Sequence, residues 1–173
     1  PHAFAAAMSI AIGAGRLDIE LEVENTGDAP FSFTAALHTY LKVKEVEAAR
    51  IVGLRGLEYR DSADGDTSKL EMNDEVTIDD EVDRIYHGMP PALLVHEGHR
   101  TLGIHAENLP DVVVWNPWVD KCARLADMPA DGFRRMLCVE AAAVREPLEL
   151  APGAMMIGWD LMALGLAHFK RKT

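Results

Sequence analysis

The alternation of apolar and acidic residues between Leu17 and Asn25 limits what this chain can fold into more than any other feature of its sequence. Successive side chains of a β-strand point to opposite faces, so a period of two predicts a strand with one buried face and one face in water. The alternating residues are, on the apolar side, Leu17, Ile19, Leu21 and Val23 and, on the acidic side, Asp18, Glu20, Glu22 and Glu24.

Similar short apolar segments recur along the chain, separated by turn-forming residues. Further strands are predicted at Met8–Ile12, Phe31–Val43, Val76–Ile78, Arg84–His87, Ala92–His96, Thr101–Ala106, Val112–Trp115, Phe133–Val144 and Ala154–Leu164. The turn residues Asn25–Asp28 predict that the strands on either side of them form a hairpin. The polar segment Asp61–Asn73 predicts a loop or an extended excursion, and Asp120–Ala126 predicts one or two helical turns. Many short strands with intervening turns are typical of an antiparallel sandwich or barrel, so we expect one all-β domain over residues 1–173.

The charge balance excludes several classes of partner. The formal net charge is −11, from 28 acidic and 17 basic residues. Nucleic acids and anionic membranes are bound by an excess of Lys and Arg, so neither is an expected partner. The sequence has no signal-peptide pattern and no apolar run of about 18 residues, the length that a membrane span needs. We therefore expect a soluble, cytoplasmic protein with a basic, solvated tail at Phe169–Thr173.

The cysteines and histidines predict no resident metal. Cys122 and Cys138 lack the paired spacing of zinc ligands and are expected to be reduced thiols. His96 and His99 fall in a predicted hairpin, in which their side chains would not converge. We therefore expect no metal ion and no cofactor.

Two polar residues stand out because they lie among apolar strand residues. Alternation predicts that His38 shares a strand face with Tyr40, and that Glu140 shares one with Cys138. A carboxylate at such a position must either point outward or be compensated by a partner. Each residue alone also fits a structural role, as a core or rim histidine and as a solvent-facing glutamate. The two lie far apart in the chain, and the pattern by itself indicates no reaction.

Eight short segments follow one another in a specific order. They are Pro1–Phe4, Asn25–Asp28, Phe33–Tyr40, Val52–Gly56, Glu81–Tyr86, Val113–Trp118, Cys138–Ala142 and Leu150–Gly153. The most distinctive of them is Val113–Trp118, whose sequence is Val-Val-Trp-Asn-Pro-Trp. Together they resemble the hexose-6-phosphate 1-epimerase branch of the aldose 1-epimerase (galactose mutarotase-like) superfamily, over nearly the whole chain.

The resemblance implies an antiparallel β-supersandwich that interconverts the α and β anomers of a hexose 6-phosphate. It implies that His38 and Glu140 are the catalytic acid–base pair and that Asp83 contacts the substrate. Without the resemblance, Asp83 would be interpreted as part of a solvated acidic turn. Trp115 and Asn116 are expected to line the sugar site, although Trp115 fits the core equally well. The expected partner is a small-molecule sugar or sugar phosphate.

The resemblance also implies that this chain lacks one part of the family's domain. The N-terminal portion of the family's domain, which carries strands of the sandwich and the basic residues that bind phosphate, has no equivalent in this chain. Lys121 and the pair Arg134 and Arg135 are the nearest cations, but adjacent strand residues would point to opposite faces. Unpaired strand edges would favour association. We expect the isolated chain to have little activity, or to need a second polypeptide. The alternatives are a non-catalytic carbohydrate-binding sandwich and a purely structural one.

Overall fold

The computed structural model describes residues 1–164, and almost all of its regular structure is β-strand. The predicted tail Phe169–Thr173 lies outside these described residues. The strands are β1 (Phe4–Gly13), β2 (Arg16–Asn25), β3 (Phe31–Ala36), β4 (Tyr40–Lys42), β5 (Arg50–Val52), β6 (Glu58–Asp61), β7 (Thr67–Leu70), β8 (Glu75–Val76), β9 (Val82–Tyr86), β10 (Leu93–Glu97), β11 (Arg100–Glu107), β12 (Asp111–Asn116), β13 (Met136–Leu150) and β14 (Met155–Leu164). The helices are α1 (Trp118–Cys122) and the 3₁₀ turns Val46–Ala48, Ser62–Asp64 and Gly132–Arg135.

Two antiparallel sheets form a sandwich, which confirms the predicted fold class. The first sheet has the order β1-β2-β14-β11-β10-β5-β8. The second has the order β3-β13-β12-β9-β6-β7, and β4 also pairs with β13. Most of the side chains between the sheets are apolar, and the largest of those that are almost completely buried include Tyr86, Ile51, Leu54, Ile78, Leu93, Ile104, Leu109 and Leu137. No helix in residues 1–164 is long and apolar enough to cross a membrane.

The acidic strand is confirmed as β2, but its predicted hairpin with β3 is wrong. β2 pairs with β1 and β14 in the first sheet, whereas β3 pairs with β13 in the second. The side chain of Asn25 donates to the carbonyl oxygens of Ala29 and Leu150, both at 2.9 Å, and accepts from the N–H of Gly27 at 2.9 Å. These bonds fix the segment in which the chain passes from β2 in the first sheet to β3 in the second. Turn residues predict a change of direction but not the sheet that the chain enters next.

The strand predicted at Phe31–Val43 is interrupted. β3 ends at Ala36, β4 begins at Tyr40, and both pair with β13. Within the break, the N–H of Leu37 donates to the carbonyl of Ala141 at 2.9 Å, and that of Thr39 donates to Leu37 at 2.7 Å. The break therefore stays attached to β13 while it leaves the regular strand geometry.

The loop predicted at Asp61–Asn73 contains a hairpin, because β6 pairs with β7. Lys69 on β7 explains the difference. Its ammonium group lies 2.8 Å from a carboxylate oxygen of Asp61 and 2.7 Å from one of Asp64. Because its charged side chains form ion pairs, this segment forms a hairpin although its polar composition is typical of a loop. The helix predicted at Asp120–Ala126 is also shifted, since α1 ends at Cys122.

The outer edge of the first sheet is apolar and exposed. Within residues 1–164, β1 pairs with β2 along its whole length and with no strand on its other side. Met8 and Ile10 lie opposite Leu21 and Ile19, so they extend the core-facing surface of β2. Phe4 is nevertheless 60% exposed and Ile12 84% exposed. The described residues thus leave part of the inner surface of the sandwich uncovered.

Candidate active site

A row of side chains crosses the second sheet on the surface turned away from the core. The register sets Asp83 of β9 opposite Trp115 of β12, Trp115 opposite Cys138 of β13, and Cys138 opposite Tyr40 of β4. Residues directly opposite each other share a face of the sheet. Glu140 lies two positions beyond Cys138 on the same strand and therefore projects from the same face. Four strands thus contribute to one surface.

The break between β3 and β4 brings His38 over this row. Its Nδ1 atom lies 3.4 Å from Oε1 of Glu140 and 3.6 Å from Sγ of Cys138. The imidazole stacks on Tyr40, with ring centroids 4.9 Å apart, and meets the ring of Trp115 edge-on at 5.5 Å. His38 and Tyr40 share a face, as predicted, but His38 lies in the break rather than within a strand.

The two members of the pair have very different exposure. The side chain of His38 is 51% exposed, whereas that of Glu140 is 4% exposed. Burial and, to a smaller extent, the nearby charge of Asp83 together raise the pKa of Glu140 to about 7. A carboxyl group with this pKa exchanges its proton readily near neutral pH. The arrangement joins a buried proton acceptor to an imidazole that is open to solvent.

Asp83 lies on the same surface but already has a partner. The ammonium group of Lys121, on α1, is 3.1 Å from Oδ2 of Asp83 and 2.9 Å from Oε1 of Glu81. Burial lowers the pKa of Lys121, but hydrogen bonds to these two carboxylates outweigh that effect and raise it overall. Lys121 is therefore a fixed cation beside Asp83.

Asn116, expected to contact the sugar, has no accessible surface. Its amide nitrogen donates to the carbonyl oxygens of Phe133 and Met136, both at 2.9 Å. Its amide oxygen accepts from the N–H of Trp118 at 2.9 Å. Trp118 has a φ of +53°, which is unusual for a residue with a Cβ atom. Asn116 thus supports the turn that follows β12, and we exclude it from the proposed sugar contacts.

The prediction that Arg134 and Arg135 point to opposite faces is wrong. They lie in the 3₁₀ turn before β13 rather than in a strand. Their guanidinium groups approach the same carboxylate, that of Glu45, at 3.7 Å and 3.6 Å. Arg134 also lies 3.2 Å from Glu47. Both arginines are therefore neutralised by acidic neighbours.

A buried carboxyl group behind the break was not predicted. Asp160 of β14 projects from the first sheet toward Thr39, whose hydroxyl lies 3.4 Å from Oδ2. The other oxygen, Oδ1, has no hydrogen-bond partner among residues 1–164. Burial raises the pKa of Asp160 to about 7, although the hydrogen bond from Thr39 opposes the shift. An aspartate within the apolar segment Met155–Leu164 was the signal in the sequence that could have identified it.

Known proteins resemble this chain in sequence and in structure. The model of the aldose 1-epimerase family matches residues 1–160. A protein of Cenchrus ciliaris that is provisionally named a glucose-6-phosphate 1-epimerase is 37% identical over 158 residues, which cover 88% of this chain and 48% of that protein. The chain thus spans about half the length of the curated relatives it matches.

Two solved structures extend the comparison. The crystal structure of a protein from Salmonella typhimurium, provisionally described as a mutarotase, has a TM-score of 0.85 and 25% identity, over 95% of this chain and 54% of that one. A galactose mutarotase related enzyme from Lactobacillus acidophilus has a TM-score of 0.72 at 13% identity, over 100% of this chain and 65% of that one, and it supports the fold. With the family match over most of its length, this chain belongs to the aldose 1-epimerase family.

Proposed function

We propose that the chain carries the acid–base pair of a hexose-6-phosphate 1-epimerase, which interconverts the α and β anomers of its sugar. The observation that carries this proposal is the 3.4 Å approach of His38 Nδ1 to Glu140 Oε1, between one exposed and one buried side chain. The provisional name of the Cenchrus ciliaris relative supports the choice of a glucose 6-phosphate substrate.

Anomer exchange requires two proton transfers in one step. Glu140 takes the proton of the C1 hydroxyl, the electrons of that O–H bond form the C1 carbonyl, and the bond from C1 to the ring oxygen breaks. His38 donates a proton to the ring oxygen as that bond breaks. Rotation about the C1–C2 bond and closure with the roles reversed give the other anomer. Acid–base catalysis of this kind contributes about 10²- to 10⁴-fold to a rate.

The surrounding side chains suit the binding of a sugar. Asp83 would accept hydrogen bonds from sugar hydroxyls, and Lys121 would hold its carboxylate in place at 3.1 Å. The ring of Trp115, edge-on to the imidazole of His38, would cover the apolar face of the sugar. We assign these two residues to substrate binding, and the pair His38 and Glu140 to catalysis.

The phosphate is the part of the substrate for which the candidate site within residues 1–164 offers the fewest binding groups. Lys121 is shared between two carboxylates, and Arg134 and Arg135 are paired with acidic side chains. We propose that the phosphate contacts belong to the half of the relatives that this chain does not span. The isolated chain is then expected to exchange anomers slowly, and faster when that half is supplied as a second polypeptide.

Exchange NMR tests the proposal by measuring α-to-β conversion of glucose 6-phosphate, glucose and galactose above the buffer rate. The chain is assayed alone and with the unmatched half of the Cenchrus ciliaris relative. Exchange that requires Glu140, and that is faster for the phosphorylated sugar, is the expected result. Saturable sugar binding with exchange at the buffer rate in both arms would instead favour a carbohydrate-binding sandwich. If neither sugar binding nor anomer exchange is detected, the purely structural role is favoured.

A further inference from the structure

We propose that His38, Cys138 and Glu140 form a binding site for a thiophilic divalent cation such as Zn²⁺, and that an occupied site cannot transfer protons. The sequence predicted no metal, because no closely spaced ligand pair occurs in it. The fold brings three different ligand types together instead: an imidazole nitrogen, a thiol sulfur and a carboxylate oxygen, within 4.8 Å of one another. This cation would be an inhibitor rather than a participant in catalysis.

The distances at His38 match those of a tetrahedral site. Zinc binds sulfur at about 2.3 Å and nitrogen or oxygen at about 2.0–2.2 Å, which puts neighbouring ligand atoms about 3.3–3.7 Å apart. Nδ1 of His38 lies 3.6 Å from Sγ of Cys138 and 3.4 Å from Oε1 of Glu140. The third separation, between Sγ of Cys138 and a carboxylate oxygen of Glu140, is within 4.8 Å.

The charges also suit a divalent cation. A bound metal displaces the thiol proton, which leaves to solvent as the metal–sulfur bond forms. One thiolate and one carboxylate would then balance two positive charges in a region where both side chains are buried.

The chemistry selects a soft or borderline cation. Imidazole and thiolate ligands favour Zn²⁺ and related transition metals, whereas Mg²⁺ prefers oxygen ligands in an octahedron. Three protein ligands leave the fourth position of a tetrahedral site for water. The exposed side of His38 provides access from solvent, and Tyr40 and Trp115 flank Cys138 in the cross-strand row. The cation would occupy the lone pairs of His38 and Glu140 that proton transfer requires.

Cobalt titration tests the site without relying on activity, because a Co²⁺–thiolate bond gives a charge-transfer band in the near ultraviolet. We expect this band to saturate at about one equivalent of Co²⁺ and to disappear when Zn²⁺, but not Mg²⁺, is added. Cys122→Ala is the matched control, since Cys122 is the other buried free cysteine. The band should persist in this variant and be lost in Cys138→Ala.

Competition against a chromophoric chelator measures the affinity for Zn²⁺. Cys138→Ala, and Cys138→Ser as a variant closer in shape, should each weaken binding at least about ten-fold. Glu140→Gln should weaken it as well while the thiolate band remains. A band that survives in both Cys138 variants, or is lost in Cys122→Ala, would overturn the proposal. So would the absence of any thiolate band in the folded wild-type chain. None of these results bears on the proposed exchange activity.

Discussion

His38 Nδ1 lies 3.4 Å from Glu140 Oε1 because a single strand, β13, positions both residues. Glu140 belongs to β13 itself, and His38 lies in the break between two strands that pair with it. The hydrogen bond from Leu37 to the carbonyl of Ala141, at 2.9 Å, attaches that break to the segment beside Glu140. The backbone that carries each member of the pair is therefore attached to the second sheet.

Replacing Glu140 by Gln should abolish anomer exchange while preserving the fold. Gln keeps the shape of Glu but does not accept a proton, so the rate above buffer should fall about 10²- to 10⁴-fold. Exchange NMR on glucose 6-phosphate measures it. Glu107→Gln is the control, because it removes a carboxylate from a second, more exposed pair, in which His105 lies 3.6 Å from Glu107. Equal rates above the buffer rate in wild type and Glu140→Gln would refute the assignment of Glu140 as the base.

Asn116→Ala should destabilise the fold. It removes four hydrogen bonds of the side chain and leaves the buried carbonyls of Phe133 and Met136 without the Asn116 donor. The expected loss in the free energy of unfolding is about 2–4 kcal/mol, since each buried unsatisfied group costs about 1–3 kcal/mol. Urea unfolding measures it. Asn73→Ala, at an exposed asparagine, removes one hydrogen bond to Glu71, whose oxygen still accepts from the backbone N–H of residue 73, and should cost under about 1 kcal/mol. A similar cost for both variants would contradict the supporting role of Asn116.

Asp160 should make the fold less stable as the pH rises toward neutrality. Its pKa is about 7 in the folded chain, against an ordinary value of 3.8, so the folded state binds more protons between these limits. The free energy of unfolding should therefore fall as the pH rises from about 4 to about 7, by roughly 3 kcal/mol from this group. Urea unfolding of wild type and Asp160→Asn across this range isolates the contribution.

The amide of Asp160→Asn does not titrate, so the difference in stability between this variant and wild type should change with pH. Asp120→Asn, at an exposed aspartate of α1, should show a difference that changes little. A constant difference for Asp160→Asn would mean that its folded pKa is close to that of the unfolded chain.

The exposed edge strand β1 should make the chain associate. The side chains of β1 that extend the core-facing surface of β2 include Ile10, which is exposed although it lies opposite Ile19. A long apolar edge pairs readily with another chain, and a lysine there opposes pairing. Sedimentation velocity should show concentration-dependent association of the wild type that Ile10→Lys reduces. Met72→Lys replaces an equally exposed apolar residue outside the edge and should leave the association unchanged. Equal reduction by both variants would point to general surface hydrophobicity.

The sequence by itself determined most of the strands and the faces of their side chains. Alternation predicted β2, and it predicted that His38 shares a face with Tyr40 and Glu140 with Cys138. These predictions rest on the local geometry of an extended chain, in which successive side chains alternate. The role of the pair His38 and Glu140 came from the resemblance to a family, because no local rule relates two residues so far apart in sequence.

The tertiary structure alone decided which strands are neighbours. Backbone hydrogen bonds are alike in every strand, so alternation does not distinguish β14 from β3 as the partner of β2. The packing of the whole sandwich makes that choice. The same choice brings Cys138 beside His38 and Asp160 behind Thr39, and it buries Asn116 in a turn. Contacts between distant segments depend on this global arrangement, and the local pattern of residues does not contain it.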